Sequence, residues 1–398
     1  MSAIATPAAA HDPDASTGRY LAYAAFVAGA LALLSTIPPF RVETLAAPIA
    51  IAAVGALLVL AAYRAGERSL LSPAAFVLAV GLVGGVLCAR TDSTTLKVVF
   101  TAGLFASMLA YATPLVLAGM GGLFSERSGV TNIGLEGMIL MGAFTGYWGA
   151  QRSGHWWLGI VAAILGAGVL AAIHAVFSIH LRADQIVSGT AVNILAVGLT
   201  AYAYRDLYGK DQPNAPQVPD VNLGSGGIPV IGGVITDLNL LTWFALVLVV
   251  VAYLFLFKTP WGLRLRAVGE HPRAADTVGI DVYRVRYLAV LSSGALAGIA
   301  GAYLSIAYNN SFGENMSNGR GFIALAALIF GKWKPQGVFL AACLFGFASA
   351  LGDALQTAAG VDSTLMAALP YIFTLIALVG LVGRSIPPAA VGLPYRKQ

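Results

Sequence analysis

The sequence predicts an all-α, polytopic membrane protein of about 10–12 transmembrane helices, some of them broken or halved. Three observations predict it. Hydrophobic residues make up 58% of the chain and charged residues only 10%, against about 25% charged in a soluble globular protein. Apolar runs near 20 residues recur along the whole length, each about 30 Å long as helix, the thickness of a hydrocarbon core. Between two of these runs lies an island of charge and glycine, "SERSGVTNIGLEG" (125–137), where a continuous helix is costly. The mean hydropathy of +0.80 agrees: one soluble core cannot use that much apolar surface, whereas lipid demands it.

In chain order, the runs place spans at about 20–38, 45–63, 73–89, 98–120, 134–150, 156–180, 187–204, 241–257, 287–307, 337–352 and 366–383. Ahead of them, "MSAIATPAAAHDPDASTG" has neither a basic n-region nor an apolar h-region. Residues 1–18 therefore read as a disordered cytoplasmic tail, and 19–97 as N-terminal transmembrane helices. Cys88 and Cys343 lie inside apolar segments at no metal or disulfide spacing, and read as small packing residues.

The net charge of +5 comes without a basic run or an aromatic-basic platform, so it points to membrane orientation and not to nucleic acid. The connection 205–240 has four Asp, four Pro and two basic residues, and reads as extracytoplasmic. The connection 258–286 has six Lys or Arg and reads as cytoplasmic. Arg64 and Arg68 put the 64–72 loop on the cytoplasmic side, and Arg384, Arg396 and Lys397 do the same for the tail, 385–398. "GFIALAALIFG" (321–331) resists this scheme: eleven residues make about 16 Å of helix, half a bilayer. It reads as a half-helix buried in protein. Counting it as a crossing leaves the C-terminus cytoplasmic; omitting it does not.

No G-x-x-x-x-G-K-[ST] occurs, since Gly209-Lys210 is followed by Asp211 and Gly331-Lys332 by Trp333, so the chain itself carries no phosphate-cradling loop. There is no H-E-x-x-H and no nucleophile elbow. His155, His174, His180 and His271 pair at no ligand spacing, and His11 sits in the tail. The chain is expected to be neither an enzyme nor a holder of a metal or cofactor.

Three motifs remain. In "PRAADTVGI" (272–280), Pro272 suits a helix start and Gly279 its end, with Ala274 and Ala275 offering a small surface among Arg264, Arg266 and Arg273. This is either a docking helix for a cytoplasmic partner or a basic loop held by lipid headgroups. In "LSSGALAGIAGAY" (291–303), Gly294 and Gly298 stand at small-xxx-small spacing, followed by Gly301, a face for close helix packing. In "SERSGVTNIGLEG", Gly129, Gly134 and Gly137 argue for a break, Glu136 falls in the first turn of the helix that follows, where the dipole favours an anion, and Asn132 suits a cap. The break is a capped turn or a broken element lining a pathway.

Four strings, taken in order, resemble one family: "GGLFSERSGVTNIGLEGMILMGAF" (121–144), "LRADQIVSGTAVNILAVGLT" (181–200), "GEHPRAADTVGIDVYRVRYLAVLSSGALAGIAGAYLS" (269–305) and "NMSNGRGFIALAALIFGKWKPQGVFLAACLFG" (315–346). It is the permease group of ABC importers for branched-chain amino acids, ribose-type sugars and nucleosides, and the wording is most similar to the nucleoside permeases. The resemblance covers about 98–384 and implies a type II ABC-importer-like permease core there. It implies a second, homologous permease subunit, as a heterodimer or a homodimer. It also implies a cytoplasmic ABC ATPase that holds ATP and Mg²⁺, and an extracytoplasmic substrate-binding lipoprotein, all in the bacterial cytoplasmic membrane. The 258–286 loop then resembles a coupling loop, R-A-A-x-x-x-G standing where the family has E-A-A-x-x-x-G. Asn132 and Glu136, with Gln185, Ser188 and Asn193, are expected near the pathway, although the last three suit interhelical glue somewhat better. Ribose-like sugars and branched-chain amino acids stay open as substrates. An H⁺- or Na⁺-driven secondary transporter is the other class; it wants paired ionisable groups inside the membrane, and only Glu136, Asp353 and Asp362 come near, at span ends.

Overall fold

The computed structural model describes residues 46–64, 102–209, 212–222, 237–359 and 385–397, with isolated helical positions between 20 and 31. The expected tail 1–18, the spans at 73–89 and 366–383, Asp362 and Cys88 lie outside the described residues. The chain divides into two compact units, 1–101 with 354–383 and 102–353 with 384–398. In the first, an apolar helix, α1 (Ala46–Arg64), ends on a basic residue, which suits the negative end of its dipole.

The second unit is built of α2 (Ala102–Arg127), α3 (Leu135–Ser153), α4 (Trp156–Ala175, continued by a π-turn to His180), α5 (Gln185–Tyr208), α6 (Leu240–Lys258), α7 (Pro260–Glu270), α8 (Pro272–Thr277), α9 (Val282–Ala302, continued by a π-turn to Tyr308), α10 (Arg320–Phe330) and, as far as Asp353, α11 (Pro335–Ala359). A two-stranded antiparallel ribbon, Asp220–Asn222 against Asp237–Asn239, sits in the connection before α6. Among the described residues, six helices are long and apolar enough to cross a membrane. Helix α2 runs to Arg127, past the expected end at 120, because its glycines stay helical where neighbours press on them: a Cβ at Gly121 would lie 2.8 Å from the Ser293 carbonyl of α9.

The core gathers around α3, whose residues from Leu135 to Tyr147 are buried almost without interruption. Helices α4, α5 and α9 pack around it. Small residues permit this closeness. A Cβ on Gly294 would sit 2.3 Å from Ala171 Cβ, one on Gly298 2.5 Å from the Ala163 carbonyl, and one on Gly301 2.1 Å from the Ile139 carbonyl. Those three glycines thus face α4 and α3 at distances no side chain tolerates.

The two ends of the bundle differ. At one end, the ribbon connection meets the end of α9, where Val218 N–H donates to the Ile306 carbonyl (3.0 Å), and Arg205 of α5 pairs with Glu314 of the 309–319 segment (2.7 Å). The arginine holds the Glu314 carboxyl below its usual range. At the other end, Arg127 donates to the Trp333 carbonyl, and the Ser385 hydroxyl donates to the Ile329 carbonyl (2.9 Å). The chain therefore passes from one end to the other between 314 and 333, first as turns and then as α10. The expected half-helix at 321–331 is thus α10, which forms the later part of that passage.

Candidate functional site

The break between α2 and α3 is an ordered structure. Helix α2 closes with a turn in which Gly129 adopts φ +89°, a left-handed backbone that glycine reaches at no steric cost. The Ser125 hydroxyl donates to the Val130 carbonyl (2.7 Å) and that of Ser128 to the Ser125 carbonyl (2.7 Å). Residues 130–134 then run without helix, and side chains from two other helices, α4 and α5, bond their backbone. Thr131 N–H donates to Gln185 Oε1 of α5 (2.7 Å), and the Thr131 carbonyl accepts from His174 Nε2 of α4 (3.0 Å). That bond puts the ring hydrogen on Nε2, so Nδ1 accepts from the Ser188 hydroxyl (3.0 Å). Asn193 clamps both sides of the break: its Nδ2 donates to the Ile133 carbonyl (3.0 Å), and its Oδ1 accepts from Gly137 N–H (2.8 Å). Irregular backbone at membrane depth is tolerated where protein covers it in this way.

Asn132 does not cap α3, contrary to its spacing. Gly134 occupies the cap position with no side-chain bond, and Asn132 Nδ2 reaches across to the Ser293 hydroxyl of α9 (2.9 Å). A buried serine with no closer partner outcompetes the local cap. Asn132 Oδ1 and Gln185 Nε2 remain buried without hydrogen-bond partners.

Glu136 stands in the first turn of α3, but its carboxylate serves a second helix. Oε1 accepts from Gly319 N–H (2.8 Å) and Oε2 from Gly321 N–H (2.6 Å), which places the anion on the N-terminus of α10. Two helix starts converge on one carboxylate. At the opposite end of α10, Glu126 Oε2 accepts from Trp333 Nε1 (2.6 Å), and the Trp333 carbonyl accepts from Arg127. Lys332 and Trp333 both take left-handed φ, +54° and +50°, a conformation that costs non-glycine residues on the order of 1–3 kcal/mol and persists when surrounding bonds enforce it. The half-helix is thus held at both ends by acidic side chains that flank the break. "SERSG" and "GLEG" on one side, and "NGRG" and "GKW" on the other, are two halves of one contact.

The basic loop forms α7 and α8. Thr259 caps α7 by accepting from Gly262 N–H (3.1 Å), and Pro260 begins it. Pro272 begins α8, and Gly279 follows its end with φ +83°. Arg273 and Ala274 are exposed, but Ala275 is not: it is 3% exposed and packs with Val268, Val282 and Tyr395. The two-alanine surface is therefore a one-alanine surface. Arg264 is exposed and stacks over Trp261 (5.1 Å), whereas Arg266 lies over Phe257 (4.9 Å). Residues 385–397 line the loop from below. Ala390 N–H donates to the Gly269 carbonyl (2.9 Å), and buried Arg286 donates from Nη1 to the Leu393 carbonyl (3.1 Å) and from Nε to the Ser128 carbonyl (3.2 Å). Burial, and then the Asp276 carboxylate it faces, pushes the Tyr395 hydroxyl up to about 12. A groove of about 620 Å³ opens there, lined by His271, Arg273, Ala274, Ala390, Tyr395 and Arg396.

The structure brings Asn132, Glu136, Gln185, Ser188 and Asn193 into one buried cluster, and Arg264, Arg273, Ala274 and Gly279 onto one basic end. Sequence reasoning missed His174, Ser293, Glu126, Trp333 and Arg286. For His174 a signal existed: an ionisable residue within a long apolar span is worth a hypothesis by default. No group of three His, Cys, Asp or Glu with metal-binding geometry occurs among the described residues.

The family model described as branched-chain amino acid transport system / permease component matches residues 104–382. The guanosine ABC transporter permease protein NupQ of Bacillus subtilis (strain 168) is 43% identical over 302 residues, 73% of this chain and 95% of its own length. The nucleoside ABC transporter permease protein NupC of Lactococcus lactis subsp. cremoris is 40% identical over 309 residues, covering 74% and 96%. The putative glucose ABC transporter permease protein TsgC13 of Haloferax volcanii is 39% identical over 254 residues, covering 63% and 77%. No solved structure matches the chain.

Proposed function

Because the chain belongs to the family of branched-chain amino acid transport system permease components, we propose that it is the membrane-spanning permease subunit of an ATP-binding-cassette importer for nucleosides. The observation that carries the reading is the 43% identity to a guanosine permease across 95% of that relative. A homologous permease partner is supported by the presence, among the relatives, of two different guanosine permease proteins from one Bacillus subtilis strain.

The chain lies in the cytoplasmic membrane with its basic end inward, in keeping with the positive-inside rule, so that α7, α8 and residues 385–397 are cytoplasmic. A partner ATPase, holding ATP and Mg²⁺, docks on the face of Arg273, Ala274 and Gly279. An extracytoplasmic binding protein delivers substrate at the ribbon end. ATP binding shifts the population between outward-open and inward-open states, each favoured by a different partner occupancy. The buried cluster of Asn132, Glu136, Gln185, Ser188 and Asn193 lies beside the pathway. Two of its amide atoms, Asn132 Oδ1 and Gln185 Nε2, lack protein partners and suit a polar substrate.

The test is ATP-dependent uptake of labelled adenosine by the reconstituted complex, competed with unlabelled guanosine, glucose, ribose and leucine. Competition by nucleosides alone fits the reading; competition by leucine alone sinks it. TsgC13 favours a second reading, a monosaccharide permease, which glucose or ribose competition without nucleoside competition would establish.

A further inference from the structure

Arg127 is hydrogen-bonded to one element and lies within ion-pair reach of another. Its Nε donates to the Trp333 carbonyl at 3.0 Å, and Nη2 donates to the same oxygen. Its Nη1 faces Glu270 Oε1 at 3.9 Å, at the C-terminal end of α7. The backbones meet at the same place, where a Cβ on Gly269 would lie 2.1 Å from the Arg127 carbonyl. Trp333 is in turn fixed to α10. Its N–H donates to the Leu328 carbonyl (3.3 Å), and the preceding N–H groups of Gly331 and Lys332 donate to Ala327 (2.8 Å) and Ile329 (3.1 Å). The indole on Glu126 holds the other side of the turn (2.6 Å). A guanidinium is a rigid planar fork. A displacement of α7 that carries the end of α2 with it, through the Gly269 contact, therefore either breaks the fork or draws the Trp333 turn, and α10 with it. The far end of α10 rests on Glu136, at the break.

We infer that Arg127 is the positioning residue through which the docking loop sets the place of the half-helix α10 during transport. The inference rests on the permease reading above and adds the route by which the docking loop reaches the buried cluster. The route has three steps: Glu270 to Arg127, Arg127 to Trp333, and α10 to Glu136. The last two steps are hydrogen bonds of defined geometry; the first is a looser ion pair at 3.9 Å, backed by the close backbone approach of Gly269 to Arg127.

The experiment uses the full chain in its assembled complex, in proteoliposomes, and reads nucleoside taken up per ATP hydrolysed. Arg127→Met should leave assembly and ATP hydrolysis near wild type while uptake per ATP falls about tenfold or more, as loss of charge-assisted hydrogen bonds at a junction would cause. Arg127→Lys keeps the charge without the fork and should recover only part of the ratio. Glu270→Gln leaves the Trp333 bonds intact and serves if Arg127→Met does not assemble; its ratio should fall in the same direction. Arg127→Met with Glu270→Gln should be no worse than Arg127→Met alone, because both act on one link. An unchanged ratio in the assembled variants, a proportional fall of uptake and hydrolysis, or losses that multiply in the double variant would overturn the junction alone. Absence of ATP-driven nucleoside uptake in the wild-type complex would overturn the permease reading and the junction with it.

Discussion

Replacing Glu136 by Gln removes one negative charge and one acceptor from the start of α10, and the structure sets the size of the effect. The carboxylate accepts two backbone N–H bonds, at 2.8 and 2.6 Å. A glutamine oxygen keeps one of them and turns an NH₂ toward the other donor. Losing one charge-assisted bond costs about 1.5–3 kcal/mol, and losing the anion at a helix N-terminus about 0.3–1 kcal/mol more. The sum, roughly 2–4 kcal/mol, corresponds to roughly a 30- to 700-fold shift in the equilibrium that holds α10 against the break. ATP-driven uptake by the reconstituted complex should fall at least about tenfold, with size-exclusion profile and subunit ratio unchanged. Glu136→Asp, one methylene shorter, should not restore both bonds. Gly321→Ala should reproduce the phenotype from the other side, since its Cβ would lie 2.5 Å from Glu136 Cα. Wild-type uptake by Glu136→Gln would refute the reasoning and return residues 125–137 to the status of a turn.

Other outcomes follow from the packing. Gly301→Ala, with its Cβ 2.1 Å from the Ile139 carbonyl, should lose about 1–3 kcal/mol to overpacking and lower the Tm of the detergent-purified protein, whereas Gly168→Ala, with nothing within 4 Å, should leave it unchanged or raise it. His174→Phe strands the Thr131 carbonyl and the Ser188 hydroxyl at a cost of about 1–3 kcal/mol, seen as a lower Tm, and His174→Gln should recover part of it. Ala274→Trp should abolish co-purification with the ATPase at unchanged Tm, while Ala275→Trp should lower the Tm because Ala275 is packed inside.

The helices were legible because lipid imposes a length: Leu240–Lys258 answers to an expected 241–257 and Trp156–His180 to 156–180. The half-length of α10 was legible for the same reason. Its direction was not, since the bonds that place it join residues about 180 and 206 positions apart, Glu136 to Gly319 and Gly321, and Arg127 to Trp333. Glu136 in a first turn was readable from local spacing, but that it also serves a second helix was not. Asn132 shows the limit of local rules: its spacing suits a cap, and Ser293, 161 residues away, takes it instead. Ala274 and Ala275 could not be sorted, because a six-residue helix is too short for its periodicity to mark an inner face. Gln185, Ser188 and Asn193 were identified as polar members of one span, and all three are bonded to the break or to His174.

The segment 385–397 is stitched beneath α7 and α8 by bonds to Gly269, Glu270 and Arg286. A ribosome delivers this segment after every other described helix, while the earlier ones are already folding. The surface formed by α7, α8 and this segment is therefore completed after the other described helices. The order of synthesis thus leaves Gly269, Glu270 and Arg286 without these partners until the described helices before the segment have been made.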